Sequence, residues 1–122
     1  MGIKDLLKDA IEGAGDVAQS IMSATTGILK EGTNDLGEVF GSVIELGKDG
    51  VVDVTEGVKD VYVSAVKALV ESGKTTEEAV EEVTVKAESA LGNITEEGTT
   101  AVSDAAKKGI EEAKEIVKKP LE

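Results

Sequence analysis

The chain has 122 residues, a net charge of −12, one Phe (Phe40), one Tyr (Tyr62) and no Trp, Cys or His, and all 13 of its basic residues are lysine. Without cysteine, histidine or arginine there are no disulfides, thiolate metal sites, imidazole catalysts or bidentate guanidinium contacts, so an enzyme is not expected and no cofactor or metal is assigned. The acidic balance opposes nucleic acid, which proteins bind by placing cations on phosphates, and it opposes anionic lipid as well.

In chain order, residues 3–21 read IKDLLKDAIEGAGDVAQSI, apolar and charged in helical alternation despite Gly13 and Gly15. Leu6, Leu7, Val17, Ile21, Ile28 and Leu29 share one face of this first stretch. A break signal, Glu31-Gly32-Thr33-Asn34-Asp35, precedes Leu36, Val39, Phe40 and Val43. A second, Gly47-Lys48-Asp49-Gly50, precedes Val54, Val58, Val61 and Leu69. Ser72-Gly73-Lys74 follows, and Thr75 with Glu78 three residues on forms the pattern of a capping box. Val80, Val83, Leu91 and Ile94 continue the face past a weaker signal at Gly92-Asn93 with Glu96. Val102 and Ile116 carry it toward Pro120.

These residues fall on one eleven-residue register. With Ile3 as position a of a unit lettered a to k, positions a, d, e and h comprise 44 residues from Ile3 to Pro120, and none is charged. Random placement of 13 lysines and 25 acids over the chain would put about 14 of them there. Eleven residues over three turns keep the stripe straight or lead it into a right-handed supercoil. Because the phase survives every break signal, the expectation is all-α: one long, nearly continuous hendecad helix over residues 1–122. A hinge at Ser72–Lys74 would divide it into sub-segments 3–71 and 75–118. Position i widens the stripe through Ile11, Met22, Ile44, Val66 and Ile110.

The flanks of the stripe are sorted by charge. Up to residue 74, positions b, f and i hold Lys4, Lys8, Lys30, Lys48, Lys59 and Lys74 and no acid. Positions c, g and k hold Asp5, Asp9, Asp16, Glu31, Asp35, Glu38, Asp49, Asp53, Asp60 and Glu71 and no lysine. Beyond residue 74, Glu77, Glu81, Glu88 and Glu96 enter the lysine side, and Lys86, Lys108 and Lys119 the acidic side. Parallel neighbours set opposite flanks against each other, whereas antiparallel neighbours set like against like. A parallel homo-oligomeric coiled coil is therefore expected, with the uncharged columns as its seam. Six of the 14 glycines lie on the stripe (Gly32, Gly47, Gly50, Gly73, Gly98, Gly109), where small residues let helix backbones approach. Each glycine costs a helix about 1 kcal/mol relative to alanine, so the helix depends on burial against a partner.

The uncharged a/d/e/h columns resemble those of hendecad right-handed coiled coils along the whole chain, and that resemblance implies a self-associating rod. IEGAGDVAQSIMSATTG (11–27) and VTEGVKD (54–60) are similar to the eleven-residue repeats of the α-synuclein, perilipin and late-embryogenesis proteins, which implies folding on a lipid surface. Structural self-association into a bundle or fibre is the leading expectation. A lipid-surface protein of a membrane, droplet or granule is the alternative, and a stress-protective chain that folds on binding the third. No stretch approaches the roughly 18 apolar residues of a membrane span, and no signal peptide is visible, so a cytoplasmic chain is expected, membrane-peripheral at most. The cluster Glu77, Glu78, Glu81, Glu82 reads as a solvated first turn rather than a cation site. Gly37-xxx-Gly41 lies among charges on the lysine flank and carries little weight.

Overall fold

The computed structural model describes residues 3–13, 16–31, 35–95 and 100–118, and all regular structure among them is helical. The helices are α1 (Ile3–Gly13), α2 (Val17–Glu31), α3 (Leu36–Lys48), α4 (Val54–Glu71), α5 (Thr76–Thr95) and α6 (Thr100–Lys118). In place of the nearly continuous helix expected from the register, the chain folds back on itself. Two joints show why.

At the end of α3, Gly50 takes φ +84°, the left-handed region closed to most side chains. The Val51 N–H then donates to the Leu46 carbonyl at 2.9 Å and the Gly50 N–H to the Gly47 carbonyl at 3.1 Å. This Schellman closure satisfies carbonyls that a continuing helix would have used. The end of α4 repeats it: Gly73 has φ +115°, Lys74 N–H donates to Leu69 and Gly73 N–H to Val70, each at 3.1 Å. New helices are then capped. Asp53 accepts from the Thr55 N–H at 2.9 Å and opens α4. The Thr75–Glu78 capping box forms as its sequence predicts: Glu78 N–H donates to Thr75 Oγ1 at 3.1 Å and Thr75 N–H to Glu78 Oε1 at 3.0 Å. The Ser72–Lys74 hinge is thus a complete stop and restart. The signals at 32–34 and at Glu96, and the stripe glycines Gly32 and Gly98, lie outside the described residues.

The helices form three hairpins side by side in two layers. Helices α2, α4 and α6 make one layer, with α4 between the others; α1, α3 and α5 make the second, with α3 in the middle. Helices joined by a short turn run antiparallel, as the tight closures at Gly50 and Gly73 require, and Tyr62 on α4 bonds to Val80 and Thr84 on α5. Within a layer, neighbours run the same way. Asp16, Val17 and Ile21 lie beside Gly57 and Asp60, while Thr26 and Lys30 lie beside Lys67 and Glu71. On the other side of α4, Thr55 Oγ1 donates to the Ala105 carbonyl at 2.9 Å and Lys59 reaches Glu112 at 3.7 Å.

Phe40 and Tyr62, the two aromatics, are fully buried at the centre. Around them α3 buries Leu36, Val39, Val43, Ile44 and Leu46, and α4 buries Val58, Val61, Ala65, Val66 and Leu69. Tyr62 shares a 2.6 Å hydrogen bond with Thr84 Oγ1, so its phenol is satisfied inside.

The stripe glycines divide by task. Gly50 and Gly73 turn the chain, while Gly47 and Gly109 admit a neighbour. A methyl group on Gly109 would stand 2.5 Å from the Thr55 carbonyl oxygen, across the α4–α6 contact. Gly27 sits in α2 with open space where a methyl would go. The two should respond to alanine with opposite sign. Gly109→Ala is expected to lower stability by about 1 kcal/mol or more through overpacking, and Gly27→Ala to raise it by roughly 0.5–1 kcal/mol through helix propensity. Thermal or urea unfolding reads both, and a stabilised Gly109→Ala would mean that α6 does not seat on α4 this closely.

Candidate functional site

The feature with the greatest capacity to act is the uncharged stripe, and its fate is the first thing to establish. Of the expected seam, Leu7, Ile21, Ile28, Leu29, Leu36, Val39, Phe40, Val43, Val58, Val61, Leu69, Val83 and Leu91 are buried. Val54, Val80 and Val102 are half-buried, and the Ile94 side chain lies outside the described residues. Leu6, Val17 and Ile116 are 46%, 40% and 38% exposed. The structure gathers most of the seam into one intramolecular core, where a second copy had been expected to cover it. Folding back satisfies the same apolar area with helices already tethered to one another, without the translational entropy lost in recruiting a partner.

The sorted flanks keep their expected role within the single chain. In the groove between α2 and α4, α2 presents Gln19, Met22, Thr26 and Lys30 from its lysine side, and α4 presents Ser64, Ala68 and Glu71 from its acidic side. On the far side of α4 the relation repeats, lysine side to acidic side, through Lys59 and Glu112. Lys59 Nζ also lies 2.7 Å from Glu56 Oε2, and that hydrogen bond is the main reason its pKa is raised. Such pairs are individually worth about 0–1 kcal/mol. Their consistency matches parallel neighbours in the layer of α2, α4 and α6.

Two clefts flank α4 on its α2 side. The first, about 720 Å³, has Val17, Ile21, Val51 and Val52 beneath a rim of Asp16, Asp53, Glu56 and Asp60. Burial pushes the Asp60 carboxyl above the ordinary carboxylate range, the Glu56 and Asp16 carboxylates add to the rise, and Lys59 opposes it. The second is the α2–α4 groove itself, about 440 Å³. Among the described residues, Ser64 Oγ in its wall and Thr25 Oγ1 in α2 are buried without a hydrogen-bond partner. Each such hydroxyl costs roughly 1–3 kcal/mol. Among the described residues no group of three or more acids is arranged to hold a metal ion. In the Glu77–Glu82 cluster, Glu78 is engaged in the capping box, where hydrogen bonds from the Thr75 backbone and side chain hold its pKa below the usual value.

Position i widens the stripe as its residues suggest, with Ile11, Ile44, Val66 and Ile110 all buried. Sequence reasoning missed Leu46 at position k and Val63 at position f, which are buried because α3 and α4 have neighbours on both sides. It also passed over Asp53 with Glu56 three residues on, an acidic variant of the capping pattern that starts α4. Gly37 and Gly41 face open space, so the small-xxx-small pair makes no close approach within the chain. Among the described residues, no helix is long and apolar enough to cross a membrane. No family model, curated protein or solved structure matches the chain.

Because the folded state raises the Asp60 pKa, it is disfavoured by ionised Asp60 at neutral pH, and that penalty fades as pH falls through the folded pKa toward the unfolded value. Asp60→Asn should therefore raise the thermal midpoint at neutral pH, and its advantage over wild type should shrink on acidification. An advantage that is constant with pH would show that ionisation of Asp60 is not its source.

Proposed function

We propose that the protein is a non-catalytic amphipathic-helix protein that coats an uncharged lipid surface, exchanging its own core for that surface. Free in solution the uncharged stripe is buried in the three-hairpin fold. On the surface the hairpins open and the stripe faces lipid along an extended helix.

The observation that carries this reading is the register across the joints. A hairpin array needs the eleven-residue phase only inside each helix, since a turn can have any length. The phase nevertheless continues through Gly50 and Gly73, which are turns in the folded chain. It matters only where successive helices lie end to end with one face in common, as on an interface. Two features lower the stability of the closed fold. Gly27, Gly37, Gly41 and Gly92 lower helix propensity by about 1 kcal/mol each at places where the fold has room for a methyl group. Buried, unpartnered Thr25 and Ser64 hydroxyls weaken it further. With a net charge of −12 and lysines on one flank only up to residue 74, the fitting surface is neutral or zwitterionic.

Parallel self-association of opened chains is the second reading, favoured by the charge sorting of the flanks. It takes second place because a single chain already buries the stripe and matches flanks in α2, α4 and α6.

A distance across the α2–α4 groove separates the readings. Lys30 and Lys67 are exposed and line the same groove. In one continuous helix they would be about 55 Å apart along the axis, at 1.5 Å per residue. Spin labels on Lys30→Cys/Lys67→Cys should report a short distance in buffer and one near that length on phosphatidylcholine-coated triolein droplets. Separation on raising protein concentration without lipid would favour self-association. Absence of droplet binding, or binding with the short distance retained, would overturn the lipid reading.

A further inference from the structure

Building on the lipid-surface reading, we propose that α1 is the element that engages the surface first: a helix with one edge of its apolar stripe already in solvent, docking on an uncharged lipid interface before the rest of the fold opens. The stripe on α1 is split. Leu7 and Ile11 are buried against the neighbouring helices and Ile3 and Ala10 are half-buried, while Leu6 stands 46% exposed between exposed Asp5 and Asp9. A lipid surface can therefore take Leu6 while Leu7 and Ile11 remain in place, then receive them in turn.

The position of α1 in the fold allows this order. Among the described residues it packs only on α2 and α3, so it can leave without parting α4 from α3, α5 or α6. The other exposed positions are held: Val17 on α2, 40% exposed, lines the cleft against α4. Helix α6 carries Ile116, 38% exposed, but is fixed to α4 by the Thr55–Ala105 hydrogen bond and the Lys59–Glu112 pair. Helix α5 is fixed to α4 through Tyr62 and Thr84. Its Val85 is 58% exposed but lies on the helix back with Glu78, Glu81, Glu82 and Lys86, a lone surface valine of the ordinary kind. Charge fixes the kind of surface. The α1 sequence has two lysines against three acids, so anionic headgroups gain no net attraction, and an interface that offers apolar packing defects without charge is the match.

The test follows the rate of binding to phosphatidylcholine-coated triolein droplets by timed flotation. Leu6→Gln, Val85→Gln and Ile116→Gln keep helix propensity and alter exposed positions, and thermal unfolding checks that all three fold as wild type does. Leu6→Gln should slow binding about tenfold, the scale of one leucine's burial, while the other two bind close to the wild-type rate. Replacing half of the phosphatidylcholine by phosphatidylglycerol should slow wild type. A Leu6→Gln rate equal to wild type, an equal slowing by Ile116→Gln, or acceleration by phosphatidylglycerol would overturn the role of α1 while leaving surface binding intact. Failure of the wild-type chain to bind any droplet would overturn the lipid reading itself.

Discussion

Everything in this fold depends on the burial of an uncharged stripe by helices too weak to stand alone. A chain with 14 glycines and two aromatics has little intrinsic helicity and few large side chains to anchor a core. Its helices hold because each covers another's stripe. The central pair, α3 and α4, is buried on both flanks as well as on the stripe, and it is there that Phe40 and Tyr62 sit. The outer helices bury one side only, so stability falls away from the centre toward α1.

Charge decides how the helices are arranged once burial has brought them together. A hairpin is antiparallel by construction, and antiparallel neighbours in one plane would oppose like flanks. Placing hairpin partners in different layers removes that conflict, because they then meet stripe to stripe. In-layer neighbours become parallel and meet lysine side to acidic side, as in the α2–α4 groove and at Lys59–Glu112. The exposed pairs add little energy individually. Their effect lies in the alternatives they disfavour, since a swapped order would place carboxylates together along a whole helix.

Much of this was legible. The stripe, the sorted flanks, the Thr75–Glu78 box and the joint at Ser72–Lys74 could all be read from residue types and spacing. Whether the helix runs on or turns back could not, because the apolar period is the same in both states and only the joints differ. The joints were visible as Gly50 and Gly73, but both fall on uncharged columns, where a helix stop and a small seam residue look alike. Their positive φ values separate the two. Preference for parallel neighbours was legible as well, though not that the neighbours would come from one chain. The candidate site followed the same pattern: most residues of the stripe lie in the core of the single chain, and the helices that cover them there were not legible. The exposure of Leu6 beside a buried Leu7 reflects which neighbours α1 has, and no one-dimensional pattern contains that.

An exchange between two burials of one stripe requires that neither be too strong. A surface shifts the chain from closed to open only through the difference in its affinity for the two states, so a deep, well-packed core would hold the stripe against any lipid. The glycines with open space around them and the unpartnered hydroxyls of Thr25 and Ser64 have no use in a fold selected for stability alone. The glycines cost the opened helix as much as the closed one, so only a hydroxyl that opening exposes narrows the gap. Ser64 therefore matters most to the balance: closed, its hydroxyl is buried without a partner among the described residues, and opening would expose the α2–α4 contact where it lies, whereas Thr25 stays on the stripe in both states. The polar contacts work in the opposite direction. Thr55 to Ala105, Lys59 to Glu112 and Tyr62 to Thr84 all tie neighbours to α4, and they are spent only when the central helices part. On the lipid-surface reading proposed above, opening would begin where the stripe is held by apolar contact, at the edge of the array, and the polar ties would keep α4 and its neighbours closed until the surface had taken enough of the stripe to replace them.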